Sequence, residues 1–155
     1  MKINLLAIGK SMPAWITTGF TEYARRLPKD YQLNLIEIAA IKRTKTSSIE
    51  RIKITESKML LEAAKDSLII ALDEHGKSPA TLDIAKHLKT WHDDQQDVSF
   101  LIGGPDGLSK ECLAQARIIW SLSKLTLPHP LVRIVFAEQV YRAWSIINHH
   151  PYHRE

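Results

Sequence analysis

A single cysteine, Cys112, in 155 residues excludes an internal disulfide framework and fits a reducing compartment. Inside a helical stretch it reads as a small core residue rather than a nucleophile. No apolar run approaches the ~20 residues that cross a bilayer. The first nine residues lack the apolar core and cleavage site of a secretory signal, so the expected location is the cytoplasm. Strong charge of one sign is also missing: 21 Lys and Arg against 17 Asp and Glu leave +4, with a pI near 9.2. Such a balance tolerates a polyanionic partner without demanding one. The length suits one domain over residues 1–155, on which any polyanion-binding surface would have to lie.

Several catalytic signatures are absent as well. His149-His150-Pro151-Tyr152-His153 is not a His-Glu-x-x-His motif, the proline interrupts a helix, and no cysteine or spaced carboxylate completes the set, so no metal is expected. A Ser/His/Asp hydrolase has no nucleophile elbow to rest on. Gly103-Gly104-Pro105-Asp106-Gly107 matches neither the dinucleotide fingerprint nor a P-loop, and taken alone it is a tight turn.

What is present alternates between strand and helix signals. Residues 2–8 read as a strand closed by Gly9, and Pro13 opens a helix whose apolar face runs through Ile16, Phe20, Tyr23, Ala24 and Leu27 until Pro28. A second strand is expected over 33–39, followed by a basic loop, 41–46. Ser47 and Glu50 have capping-box spacing before a helix with Ile52, Met59, Leu60 and Ala63 inward. The aliphatic runs 68–72 and 98–102 read as strands buried on both faces. Between them, Ser78 and Pro79 would start a helix carrying Leu82, Ala85 and Leu88. Ser109 caps a short helix and 118–122 is a last strand. The pattern predicts an α/β domain with a mainly parallel sheet and helices on both faces.

Two stretches near the end stand apart. In Leu122 to His129, leucines alternate with Ser123 and Thr126, and Pro128 and Pro130 bracket His129, which predicts a buried loop whose backbone needs polar partners, a ligand among them. The helix expected over 131–147 is apolar on both sides, which predicts cover from a second copy of the chain. The final residues, from Asn148, are dense in hydrogen-bonding groups where chain ends are usually bland.

The motifs Leu-Thr-Leu-Pro-His-Pro-Leu-Val-Arg from 125, Glu-Gln-Val-Tyr-Arg-Ala-Trp-Ser-Ile from 138 and the terminal Pro-Tyr-His-Arg-Glu carry a family resemblance. With Ile102 to Gly107 and the first 28 residues, they resemble the SPOUT, or trefoil-knot, methyltransferases, in particular the bacterial ribosomal RNA large-subunit methyltransferase H family. The resemblance covers the whole chain and implies a C-terminal trefoil knot, which periodicity cannot reveal. It implies methylation, with S-adenosyl-L-methionine as donor, of the N3 ring nitrogen of a pseudouridine in helix 69 of 23S rRNA in the assembled ribosome. It further implies a homodimer in which the terminal segment of one subunit reaches the cofactor pocket of the other.

Ligands of open α/β sheets collect beyond the carboxyl ends of the strands, and three segments share that edge: Leu72 with the polar turn after it, the glycine turn at 103–107, and 122–127. The resemblance assigns Leu72, Gly103, Leu122, Ser123, Lys124, Leu125, Thr126 and Leu127 to the cofactor, with Lys124 contributing backbone only. Leucines on bent backbone suit adenine, and glycine allows close approach to a flat ring. Tyr152, His153, Arg154, Arg142 and Arg133 are the candidates for substrate contact and catalysis, since a pseudouridine N3–H must lose a proton and a base or a cation would lower the barrier. Arg25, Arg26, Lys42, Arg43 and Lys45 are candidate phosphate contacts. The competing reading is a non-catalytic RNA-binding or ribosome-assembly module on the same fold.

Overall fold

The computed structural model describes residues 1–154; Glu155, the last residue of the terminal motif, lies outside them. Five strands, β1 (Lys2–Ile8), β2 (Gln32–Ile38), β3 (Leu68–Lys77), β4 (Val98–Ile102) and β5 (Ile118–Trp120), form one parallel sheet in the order β2-β1-β4-β3-β5. Five helices connect or follow them: α1 (Ala14–Ala24), α2 (Ile49–Ala64), α3 (Thr81–Asp93), α4 (Lys110–Gln115) and α5 (His129–Ile147). The expected α/β architecture is the observed one.

Strand period two sorts the core into halves. Ile3, Leu5 and Ala7 of β1 join Phe20 of α1, Leu88 and Trp91 of α3, and Phe136 and Val140 of α5. Leu6 and Ile8 face the other way, onto Leu60 and Ala64 of α2 and Cys112 of α4. All five residues of β4 are buried, as a central parallel strand requires. Cys112 is fully buried, and burial pushes its thiol up to about 11, so it is the expected core residue.

Helix ends depart from expectation by one to three residues. α1 stops at Ala24 because Arg26 and Leu27 already donate to carbonyls three residues back, a tightened final turn ahead of Pro28. Ser48, not Ser47, caps α2 by accepting from Arg51 N–H at 3.3 Å, while Ser47 Oγ accepts from Thr44 N–H. α3 begins after Ala80, whose N–H is taken by Asp83 Oδ2 at 3.1 Å, so Ser78 and Pro79 precede the cap. Leu82 is exposed and Ile84 and Trp91 face inward beside Ala85 and Leu88. In α2, Ala63 is exposed and the buried stripe is Ile52, Glu56, Leu60 and Ala64 at four-residue steps.

α5 lies between α1 and α3, and Gly19 of α1 lets it come close: a Cβ there would sit 2.7 Å from Ile134 Cδ1. Phe136, Ala137, Val140, Tyr141 and Ala143 of α5 are covered within the chain. Leu131, Val132, Ile134, Val135, Trp144, Ile146 and Ile147 stay half-exposed, alongside Glu138 and Arg142.

Candidate functional site

A cleft of about 730 Å³ opens at the carboxyl ends of β3, β4 and β5. The three segments predicted to share that edge do meet there. Leu72, Gly103, Leu122, Ser123, Leu125, Thr126 and Leu127 all line it, and Lys124 does not. Ile102, Leu108, Leu113 and Val132 extend the apolar wall, while Asp73, Glu74 and Asp106 bring carboxylates to it. β3 does not end at Leu72: Leu72 and Lys77 both pair with Trp120, so residues 73–76 make an excursion from the strand beside the cleft. Gly76 closes it against β5, where a Cβ would lie 2.7 Å from the Trp120 backbone.

The glycine turn is fixed by its own geometry. Gly107 N–H donates to Gly104 O at 3.0 Å, and a Cβ on Gly103 would stand 2.5 Å from the Gly107 carbonyl carbon. Gly103 is thus required by the turn itself, and it also lines the cleft. Asp106 at the turn's tip accepts from Arg43 Nε at 2.8 Å, and Arg43 also donates to Glu56 at 2.8 and 3.3 Å. Glu56 is almost wholly buried and additionally accepts from Ile41 N–H at 3.0 Å. The basic loop is therefore pinned by Arg43, which is no free phosphate contact; Lys42 and Lys45 remain exposed. Arg25 and Arg26 are both paired to Glu22.

Arg133 is not at the surface. Its side chain is fully buried, donating to Glu37 Oε2 at 2.7 Å, Gly9 O at 2.9 Å and His129 Nε2 at 3.2 and 3.3 Å. Because a guanidinium only donates, His129 Nε2 is the acceptor and the imidazole proton sits on Nδ1. Burial and the adjacent Arg133 charge hold His129 down to about 4, against a hydrogen bond to the Gly103 backbone, so the ring is neutral at neutral pH. Arg133 joins the ends of β1, β2 and α5, with its guanidinium buried away from the surface.

The remaining predicted residues gather elsewhere. Glu138 Oε1 accepts from Arg142 at 2.6 and 2.8 Å and from Tyr152 Oη at 3.0 Å, and Arg142 stands 4.8 Å over the Tyr152 ring and 3.4 Å from His153 Nδ1. Burial and the Glu138 hydrogen bond raise the Tyr152 phenol to about 12, so at neutral pH it is protonated. Arg154 is exposed beside the cluster in sequence. Val132 is the last α5 residue lining the cleft, and Glu138 lies six residues farther along, about 9 Å at 1.5 Å per residue. Cleft and terminal cluster are therefore separate places on one chain.

The comparisons with known proteins decide the family. A family model described as a predicted SPOUT methyltransferase matches residues 1–153. The chain belongs to the SPOUT methyltransferase family. Among its relatives is the ribosomal RNA large subunit methyltransferase H of Coxiella burnetii, 54% identical over 99% of this chain and 100% of that one. Another is the protein of the same name from Thioalkalivibrio sulfidiphilus, 51% identical over the full length of both. A solved methylase family protein from Haemophilus influenzae shares the fold, with a TM-score of 0.56 at 12% identity over 99% of this chain and 70% of that chain. A structure from Bacillus anthracis gives 0.53 at 13% identity over 97% and 96%.

In this SPOUT chain, sequence reasoning missed three residues that organise the sites. Glu138 carried a usable signal, its four-residue spacing to Arg142 on a helix. His129 carried the same four-residue spacing, to Arg133, whereas Glu56 carried none, because its partner Arg43 lies in a loop outside its helix.

Proposed function

We propose that the chain is a cytoplasmic homodimeric rRNA methyltransferase that uses S-adenosylmethionine to methylate N3 of a pseudouridine in helix 69 of 23S rRNA, in the assembled ribosome. The observation that carries this reading is the convergence of Leu72, the glycine turn and the 122–127 loop on one cleft, in a family of methyltransferases. The relatives named for rRNA large-subunit methylation are more than half identical along the full chain, which supports the same substrate. The fold is compatible with the family's trefoil knot, which would bring the 122–127 loop under α5.

The lining fits the cofactor. Leu72, Ile102, Leu122 and Leu127 offer apolar walls to an adenine, and Asp73, Glu74 and Asp106 balance a sulfonium and an ammonium. When bound, the cofactor supplies an electrophilic methyl group. The chain's residues have to orient the acceptor and steady the anion left when N3–H is deprotonated. Arg142 and Arg154 are the cations for that task, and Tyr152, held protonated by Glu138, can donate a hydrogen bond but does not take the proton. The ~9 Å along α5 between Val132 in the cleft and Glu138 in this cluster, with none of the cluster's side chains lining the cleft, favours completion of each site by the partner's terminal segment.

Calorimetric titration with S-adenosylmethionine, followed by nucleoside mass spectrometry of ribosomes incubated with both, tests the proposal. Expected are one cofactor per subunit and a new N3-methylpseudouridine. Cofactor binding without methyl transfer to any ribosomal substrate would leave a non-catalytic module, and methylation at another nucleoside would reassign the target.

A further inference from the structure

A second cavity, about 660 Å³, lies at the carboxyl ends of β1 and β2. Its wall is formed by the segment after β1, with Gly9, Lys10 and Met12, and by Ala39 and Ala40 after β2. Pro105 and His129 line both this cavity and the cofactor cleft. We propose that this second cavity seats the unstacked pyrimidine of the RNA substrate, so that target base and methyl donor occupy adjoining chambers that meet where Pro105 and His129 line both. The inference rests on the RNA-methylating reading above and adds where the base goes.

Three observations support it. The chemistry suits a base: small and apolar side chains at Ala39, Ala40 and Met12 leave a slot for a flat ring, and an enzyme acting on a base must hold it out of its stack. Lys10 carries the only formal charge among the lining residues and is exposed, where it can meet the phosphate attached to the flipped nucleotide. The seat is also preorganised. Arg133 donates at once to Gly9 O on one wall and to His129 on the other, holding the slot open. Gly9 itself has φ +117°, a conformation that side chains other than hydrogen rarely take. His129 already accepts from Arg133 at Nε2 and is held neutral, so it takes no proton from the base.

Ala40→Trp and, separately, Ala39→Phe fill the slot at exposed positions, where folding tolerates a larger side chain. Both variants, checked for fold by near-UV circular dichroism, are expected to bind S-adenosylmethionine within twofold of the parent and ribosomes within threefold, while kcat for methylation falls at least tenfold. Full activity in the folded variants overturns the proposal. So does a parallel loss of cofactor affinity, which would make the cavity part of the donor's seat. A second readout is independent of turnover. Met12 is one of three methionines, so 13C-methyl labelling isolates it by NMR. An RNA hairpin with an unpaired pyrimidine loop, added with S-adenosylhomocysteine, should shift the Met12 methyl by ring current, whereas a fully paired RNA duplex should not. If the parent methylates no ribosome, the proposed function fails and the Met12 shift still decides whether the cavity takes a base; an unmoved Met12 under saturating hairpin rejects it.

Discussion

Arg133 and Glu37, 96 residues apart in sequence, meet at 2.7 Å where β2 ends and α5 begins, with the guanidinium wholly out of water. A buried arginine is tolerated only when its donors are taken, and here Glu37, Gly9 O and His129 take them. Arg133→Ala should therefore cost about 3 kcal/mol, the lower end for breaking a buried pair because Glu37 retains some solvent. Arg133→Lys should recover only part of this, since an ammonium cannot span three partners in one plane. Urea denaturation midpoints measure both; an unchanged midpoint for Arg133→Ala would contradict the clasp.

His129 makes stability depend on pH in a definite direction. Its folded value, about 4, lies below the ordinary 6.5, so the unfolded chain binds the proton more readily. The stabilisation is fully present above about pH 6.5 and is lost as pH falls toward 4, with a slope of at most about 1.4 kcal/mol per pH unit from this group. His129→Gln should flatten that part of the profile. Equal slopes for parent and variant between pH 6.5 and 4 would show that the ring is not held neutral.

Two glycines of one turn separate steric need from conformational need. Gly103→Ala drives a Cβ into the Gly107 backbone and should destabilise by about 1–3 kcal/mol as overpacking does, taking cofactor affinity with it. At Gly107, φ is +79° and a Cβ meets nothing within 4 Å, so Gly107→Ala should cost only the left-handed backbone, about 1–2 kcal/mol, with cofactor affinity less affected. Calorimetry and thermal melts on the pair check this; equal affinity losses would mean that the ligand itself touches Gly107.

The parallel strands were legible because aliphatic runs such as 98–102 have no polar residue to face solvent beyond the small Ser99, which is buried. The cleft was legible as three segments on one sheet edge, a consequence of topology more than of any single residue. Arg133 was not, since a sequence does not distinguish an arginine aimed at substrate from one sunk beneath a loop; only the positions of Glu37 and Gly9 decide. The 73–76 excursion was equally hidden, because a polar turn reads alike whether it ends a strand or bulges out of one and returns to pair again. Helix starts slipped by a residue or two where serines stand in a row, as at Ser47 and Ser48, and either could accept the first free N–H.

The basic loop yields a prediction that distinguishes its members. Lys42 and Lys45 are exposed, and replacing either by alanine should lower the slope of log affinity against log salt for rRNA by up to about one unit without affecting stability. Arg43→Ala should leave that slope unchanged and destabilise by about 3–5 kcal/mol, because it strands the buried Glu56. Filter binding across a salt series, with melts alongside, separates the two outcomes; a changed slope for Arg43→Ala would place a phosphate on it.

The terminal cluster offers the sharpest test of how the site is assembled. Tyr152 and His153 are fixed to Glu138 and Arg142, about 9 and 15 Å along α5 beyond Val132 of the chain's own cleft. Truncation after Pro151 removes Tyr152, His153 and Arg154 while leaving every residue that lines the cleft, so cofactor affinity should change little and methylation should collapse. Arg154→Ala should lose most of the same activity, since a guanidinium holds a phosphate or a developing anion through charge-assisted bonds. Thr126→Trp, at an exposed position lining the cleft, should instead abolish cofactor binding with the fold intact. If the segment works across a dimer, a mixture of Arg154→Ala and Thr126→Trp chains forms heterodimers in which one cleft is open and faces an intact terminal segment from the partner, and activity returns. If it serves its own cleft, every subunit in the mixture is defective. Methyl incorporation into ribosomes after confirmed subunit exchange measures the difference, and activity no higher than either parent variant would reject the shared site.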